Sequence, residues 1–457
     1  MKESVMGKPH VLVIPFPTQG HVMPLMELSH SLIDCGFVVT FVNTDFNHRR
    51  IVESIRQNDC QDRRIRLVSI PDGMAPGDDR NDLAKLCDTM LSVMPCLLEE
   101  LILKINHDSN DDDKITFVIA DQSIGWALEV AEKMGIRRAA FWPAAGCLLA
   151  LLFHIPKLIE SGIISANGIP IENQMIKLSP EMPAMNTAHF VWLCIGDPAT
   201  QLSIYNTILR NNKAVKHADY LLCNSFYELE PSVLTLVPNL KPLGPLLGSS
   251  RFAHLWPQDS TCLSWLDQQP PRSVIYIAFG SLTILDKRQF DELALGLELS
   301  GHRFLWVIRP DLTNGLATGY PDGFEARVAD RGMMICWAPQ KEVLAHPSVT
   351  CFLTHCGWNS TMEGLSMGVP FLCWPYFADQ FLNKSYICDI WKVGLGFNPD
   401  ENGIISKEEI NKKVKQIVGD EEIRVRALKL KETAMNSVSE GGSSLKNFED
   451  FVEAMKC

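Results

Sequence analysis

The chain lacks the roughly 20 consecutive apolar residues of a membrane-crossing helix, and the apolar run Val11 to Phe16 is far too short for a secretory leader core. Cytoplasmic location and no membrane span are therefore expected. Positive charge is in short supply: 42 Lys and Arg stand against 54 Asp and Glu, a net charge of -12 with a pI near 5.5. That balance argues against a nucleic-acid surface, which needs a basic stripe, but leaves a local anion site open. The fourteen cysteines include no CxxC pair and no framework spacing, as expected of reduced thiols that fill core space. No GxGxxG follows a strand-like run and no GxxxxGK[ST] occurs, which removes the fingerprints of a dinucleotide-binding dehydrogenase and of a P-loop enzyme. No paired carboxylates sit where a strand end would present them to a divalent metal, so no metal is expected. Asp108 to Asp113 superficially resembles a calcium loop, but its sixth position is Asp113 rather than the turn-making glycine, and it reads as a solvated loop.

What is present is enough for more than one core. A length of 457 residues predicts two or three domains, and 46% hydrophobic with 21% charged residues is a soluble globular composition. Strand-like apolar runs alternate with helical periodicity. In the first half the strands are Pro9 to Phe16, Phe37 to Asn43, Ile65 to Ile70, Ile115 to Ala120, Arg138 to Trp142 and Tyr220 to Cys223. A helix from about Val22 to Asp34 follows the first strand, with Val22, Leu25, Met26, Leu32 and Ile33 inward. The Pro- and Gly-rich segment Leu240 to Ser250 reads as a linker. Beyond it come strands at Ser273 to Phe279, Arg303 to Arg309, Met333 to Trp337, Val349 to Leu353, Pro370 to Trp374 and Gly394 to Phe397. Helices from Lys407 to Val418, Glu421 to Ser437 and Ser443 onward close the chain. This alternation predicts parallel sheets with ligands at the strand carboxyl ends.

The most informative stretch runs from Trp337 to Gln380. Its strand Val349 to Leu353 meets a helical pattern from Asn359 to Met367 through the turn His355-Cys356-Gly357-Trp358. A glycine there lets backbone approach a ligand, and the helix N-terminus attracts phosphate. Asn359 and Ser360 add side-chain donors. The stretch reads as a nucleotide-sugar site. Trp374 and Trp391 read as core.

Trp337, Gln340, His355, Gly357, Trp358, Asn359, Ser360, Glu363, Pro370, Asp379 and Gln380 closely resemble the signature box of plant UDP-dependent glycosyltransferases of secondary metabolism. Phe16 to Pro24, Asp121 with Trp126, Phe141-Trp-Pro and Asn224 to Glu230 extend the resemblance to the first half. It implies an α/β GT-B fold, two Rossmann-like domains facing each other across a cleft. On this basis residues 1–245 bind acceptor, 246–440 bind UDP-sugar, and 441–457 form a helix returning to the first domain.

The same resemblance assigns roles. Trp337 and the Ala338 backbone would hold uracil, Gln340 and Glu363 the ribose, and His355, Gly357, Asn359 and Ser360 the diphosphate. Ser281, and with it Thr283, would lie near the diphosphate too. Trp358, Asp379 and Gln380 would hold the sugar. His21 would be the general base and Asp121 its partner, a pairing that residue chemistry supports: a histidine by a helix N-terminus stays neutral, and an aspartate fixes its tautomer. His10, His30 and His154 lack that context, with His154 a candidate to line the acceptor pocket. Within the family a glutamine at the position of Gln380 goes with glucose, and a planar amide that donates to and accepts from adjacent hydroxyls is compatible with that sugar without being unique to it. Phe16, Trp142, Phe190, Trp192 and Ile195 are candidate acceptor-pocket walls.

The implied activity is inverting, metal-independent transfer of glucose from UDP-glucose to a small lipophilic acceptor, a phenolic or flavonoid first. A terpenoid alcohol, a carboxylic acid or a different UDP-sugar remains open. UDP-glucose acts as co-substrate with no bound cofactor, no nucleic acid takes part, and a monomer is expected.

Overall fold

The computed structural model describes residues 9–58, 65–108, 113–247, 259–281, 283–309 and 319–456. Most of the acidic run between Asp108 and Asp113, and the end of the expected linker, lie outside them. The chain divides into two compact units. One comprises residues 1–179, 186–255 and 436–457; the other comprises 180–185 and 256–435.

The first unit is built on a seven-stranded sheet. Its strands are β1 (His10–Ile14), β2 (Val38–Thr44), β3 (Ile65–Ile70), β4 (Ile115–Asp121), β5 (Arg137–Trp142), β6 (Tyr220–Cys223) and β7 (Leu240–Pro242), in spatial order β3-β2-β1-β4-β5-β6-β7. Every adjacent pair is parallel. All of β1 is buried, as expected of a central parallel strand covered on both faces. β7 occupies the first three residues of the segment that reads as a linker. Pro242 is compatible with a strand only because β7 is an edge, where one ladder is missing.

The final helix, Ser443–Lys456, also belongs to this unit. Its Phe451 is fully buried against Phe117 and Tyr220, at ring-centroid distances of 5.7 and 5.4 Å. Arg137 donates to the Ala454 carbonyl at 2.7 Å, and Asn447 donates to the Pro242 carbonyl at 2.9 Å.

The second unit repeats the plan with six strands. They are β8 (Val274–Ala278), β9 (Arg303–Val307), β10 (Gly332–Ile335), β11 (Val349–Thr354), β12 (Phe371–Cys373) and β13 (Gly394–Gly396), in order β10-β9-β8-β11-β12-β13, all parallel. Ile275, Ile277, Phe304, Trp306, Leu353 and Leu372 supply sheet residues to one core cluster, which helix Lys287–Ser300 enters through Phe290, Leu293 and Leu297.

Both sheets reverse their order at one place. In the first unit β1 lies beside β4, and in the second β8 lies beside β11. At such a switch point the connections leave in opposite directions and open a crevice beyond the strand ends, where ligands of open α/β sheets bind.

Candidate active site

His21 and Asp121 sit at the first switch point. Helix Gln19–Asp34 begins three residues earlier than its apolar face suggests, so His21 lies inside the first turn rather than ahead of it. It remains within reach of the helix dipole. Pro24 is carried inside this helix at the cost of one backbone bond. The chain entering the helix is pinned by Asn47, buried and following β2, whose amide donates to the Pro17 carbonyl at 2.9 Å.

The His21 Nδ1 to Asp121 Oδ2 distance is 2.7 Å, with the histidine side chain 27% exposed and the carboxylate fully buried. Asp121 Oδ1 accepts from the Ser123 backbone N–H at 2.8 Å, so both carboxylate oxygens are engaged and the group is held in one orientation. An ionised Asp121 makes Nδ1 the protonated nitrogen and Nε2 the basic one. An imidazole arranged this way can accept a proton and share the resulting charge with the carboxylate.

At the second switch point the turns after β8 and β11 meet around His355. Gly280 has φ +69°, and a Cβ there would stand 2.6 Å from His355 Nε2; a Cβ on Gly357 would stand 2.5 Å from the same atom. The imidazole thus fills the space that two absent side chains leave. Burial lowers its pKa to about 4, with the Ala278 carbonyl pulling the other way and the Arg309 charge adding to the fall. At neutral pH His355 is therefore a hydrogen-bonding group and not a cation. The permanent positive charge comes from Arg309, which is 3% exposed and donates to the Gly280 carbonyl at 3.1 Å. Helix Trp358–Met367 starts from Gly357, a residue with no side chain to cap it, so its N-terminal field faces the same turn.

Gln340, Ser360 and Glu363 are joined in one network. The Gln340 amide donates to Ser360 Oγ at 2.9 Å and to Glu363 Oε2 at 2.6 Å, and its oxygen accepts from the Tyr276 hydroxyl at 3.2 Å. Burial, with the Glu363 carboxylate next, holds the Tyr276 phenol well above its ordinary pKa, so it is a donor here. Trp337 is part-exposed, and its carbonyl accepts from Asp259 N at 2.8 Å; the adjacent Ala338 is buried. Ser281 is partly exposed at the β8 turn. Thr283 is not at the turn's surface: it is 1% exposed and lines a small cavity of about 20 Å³ with Phe279, Phe290 and Trp306, room for about one water.

On the far side of the box, Trp358 is 4% exposed, Asp379 is part-exposed, and Gln380 is 3% exposed. Gln380 Oε1 accepts from the Tyr376 and Phe377 backbone N–H groups at 2.8 and 3.1 Å. With its oxygen committed to the loop, this amide offers a ligand its NH₂ end rather than both ends. Trp374 and Trp391 are buried, as the sequence suggests.

Among the expected acceptor walls, Phe190 and Trp192 pack together at 4.9 Å, and Trp192 packs tilted against Tyr205 at 5.4 Å. Trp192 is 0% exposed with its indole N–H on the Gly168 carbonyl at 2.9 Å, and Trp142 donates likewise to the Ala145 carbonyl at 2.8 Å. All three are buried, and the two indole N–H groups are already used. Phe16 packs on the His21 ring at 5.3 Å and Ile195 is part-exposed, so these two remain next to accessible space. His10 is buried between Thr40 Oγ1 and the Asp113 carbonyl, both at 2.8 Å, and is structural; His154 Nδ1 lies 2.8 Å from the Ala150 carbonyl.

The Asn224 to Glu230 motif also resolves as structural. Buried Glu230 accepts from Gly146 N and Cys147 N, each at 2.9 Å, and from Ser225 Oγ at 2.6 Å, which caps helix Gly146–Phe153. One further arrangement, Ser348–His346–Asp267, has the composition of a hydrolytic triad, at 2.5 and 3.2 Å. Ser348 is 1% exposed, its hydroxyl also reaches the Leu266 carbonyl at 3.0 Å, and it precedes β11, so it anchors a strand start and is closed to substrate.

Two parallel sheets, each with a polar cluster at its switch point, define a protein of two Rossmann-like units. The sequence profile of the family described as UDP-glucoronosyl and UDP-glucosyl transferase matches residues 10–435. Relatives include UDP-glycosyltransferase 83A1 of Arabidopsis thaliana, 45% identical over 99% of this chain and 97% of that protein. (R)-mandelonitrile beta-glucosyltransferase of Prunus dulcis is 34% identical over 97% of this chain and 96% of its own. Among solved structures, UGT2 of Phytolacca americana, complexed with UDP-2fluoro-glucose and pterostilbene, aligns with a TM-score of 0.82 at 29% identity, covering 98% of this chain and all of that one. The chain belongs to the UDP-glycosyltransferase family. It is an enzyme of the plant branch, with the GT-B fold.

Proposed function

We propose that the protein transfers glucose from UDP-glucose to a hydroxyl of a small lipophilic acceptor, a phenolic first, inverting the anomeric centre without a metal. The observation that carries this reading is the 2.7 Å His21–Asp121 pair at a sheet switch point. His21 Nε2 takes the acceptor proton as the oxygen attacks the anomeric carbon opposite UDP. The C–O bond to UDP breaks as the new bond forms, which gives a β-glucoside. Asp121 stabilises the imidazolium. Base catalysis of this kind contributes roughly two to four orders of magnitude.

In the second unit, Trp337 and Ala338 bind uracil, and Gln340 and Glu363 bind the ribose. His355, Gly357, Asn359, Ser360 and Ser281 receive the diphosphate, and Trp358, Asp379 and Gln380 receive the sugar. Donors fixed before reaction stabilise the charge that develops on UDP. Burial of Arg309 beside the turn supports the metal-free reading, since a fixed cation is already present. A structure of a plant relative with UDP-2fluoro-glucose supports the donor class.

His21→Ala should lower kcat by about 100-fold or more while the Kd for UDP, measured by calorimetry, stays within about twofold. Full turnover in His21→Ala would remove the base assignment.

A further inference from the structure

Asn383, which lies four residues past Asp379 in helix Gln380–Ser385, is completely buried and makes two side-chain bonds. Its Nδ2 donates to Asp379 Oδ2 at 2.8 Å and to the Cys356 carbonyl at 2.9 Å. One amide therefore ties the carboxylate read above as a sugar ligand to the turn read as the diphosphate site.

Both ends of that tie are special. Cys356 has φ +66°, a left-handed conformation that a non-glycine residue holds only when its surroundings over-determine it. Its N–H is bonded to Thr354 Oγ1 at 3.2 Å and its carbonyl to Asn383, so the peptide groups on either side are both fixed. Asp379 is part-exposed, and its Oδ2 accepts from the buried Asn383 amide. Asn383 itself bears the cost: its Oδ1 is buried with no hydrogen-bond partner among the described residues. A buried amide that leaves its oxygen unsatisfied in order to present both hydrogens to two acceptors is not explained by packing, for which an apolar residue of that size would serve better.

We propose that Asn383 is a positioning residue for the donor sugar, setting the Asp379 carboxylate in fixed register with the phosphate turn. The inference rests on the sugar role assigned to Asp379 under the proposed function. Asn383 touches no substrate in this account; it acts through Asp379.

The test is a double-mutant cycle on the full-length enzyme with UDP-glucose and one accepted phenol. Asn383→Ala should lower kcat/KM by about tenfold or more while the Kd for UDP changes by less than about threefold. Asp379→Ala should lose at least as much, and the double variant should be no worse than Asp379→Ala within about threefold. Losses that multiply in the double variant, or an Asn383→Ala kcat/KM within about twofold of wild type, would overturn the inference. An undiminished Asp379→Ala enzyme would instead overturn the sugar role of Asp379, and the inference with it.

Asn383→Asp provides a second signature in case the alanine variant folds poorly. Two carboxyl groups in contact share a proton, and the protonated form regains one donor. The kcat/KM of Asn383→Asp relative to wild type should rise as pH falls, whereas a role in packing alone would leave that ratio flat.

Discussion

His355 illustrates how one buried side chain couples the fold to pH. Enclosed by two glycine turns, it binds its proton at about pH 4 in the folded chain against 6.5 for the ordinary group. Between these values the unfolded chain carries the extra proton, so stability is full above about pH 6.5 and falls as pH drops toward 4. By pH 5 the loss from this residue is about 2 kcal/mol. Urea unfolding of wild type and His355→Gln at pH 7 and pH 5 should show a shallower pH dependence in the variant. Equal dependence would mean that folding leaves the proton affinity of the imidazole unchanged. Because the ring is neutral near pH 7, the positive charge beside the His355 turn falls to buried Arg309, a residue that sequence alone offers only as the last position of a strand-like run.

Among the elements, the C-terminal helix Ser443–Lys456 depends most on a single residue. Phe451 is fully buried and meets the Phe117 and Tyr220 rings edge-on. Phe451→Ala should cost about 3 to 5 kcal/mol, seen as a lowered Tm, since the ring leaves a cavity among strands too well hydrogen-bonded to collapse. A change below about 1 kcal/mol would mean that the helix end is frayed in solution.

The strands themselves were legible in sequence to within a few residues at either end, because central parallel strands such as Val349–Thr354 are continuous apolar runs between turn residues. β7 was not, since Leu240–Pro242 opens a Pro- and Gly-rich segment and pairs on one side only. The beginning of the His21 helix was obscured in the same way: Gln19 and Gly20 carry no apolar face, and only the backbone bonds of His21 and Val22 to Thr18 reveal the turn. Asn383 and Asn47 escaped notice for another reason. Their partners, Cys356 and Pro17, lie 27 and 30 residues away, and such pairings exist only after folding, although the Asp379–Asn383 half has the i, i+4 spacing of helix neighbours. Phe190, Trp192 and Trp142, expected as acceptor walls, are instead buried. An aromatic residue in a loop looks the same in sequence whether it lines a pocket or, like Trp192, closes a core.

For the whole molecule, two Rossmann-like units divide the chemistry proposed here: a base on one sheet, and a nucleotide-sugar site with its own buried cation on the other. Membership of the UDP-glycosyltransferase family fixes the reaction class, and the relatives include a (R)-mandelonitrile beta-glucosyltransferase and a protein solved in complex with pterostilbene. The most direct test is product mass spectrometry with UDP-glucose against flavonoids, simple phenols, terpenoid alcohols and acids, run with chelator and without added metal. The account predicts a gain of one hexose on phenolic acceptors, undiminished by chelator, with the β configuration at the new bond. UDP binding with no hexose gain on any acceptor, or a gain that chelator abolishes, would contradict it.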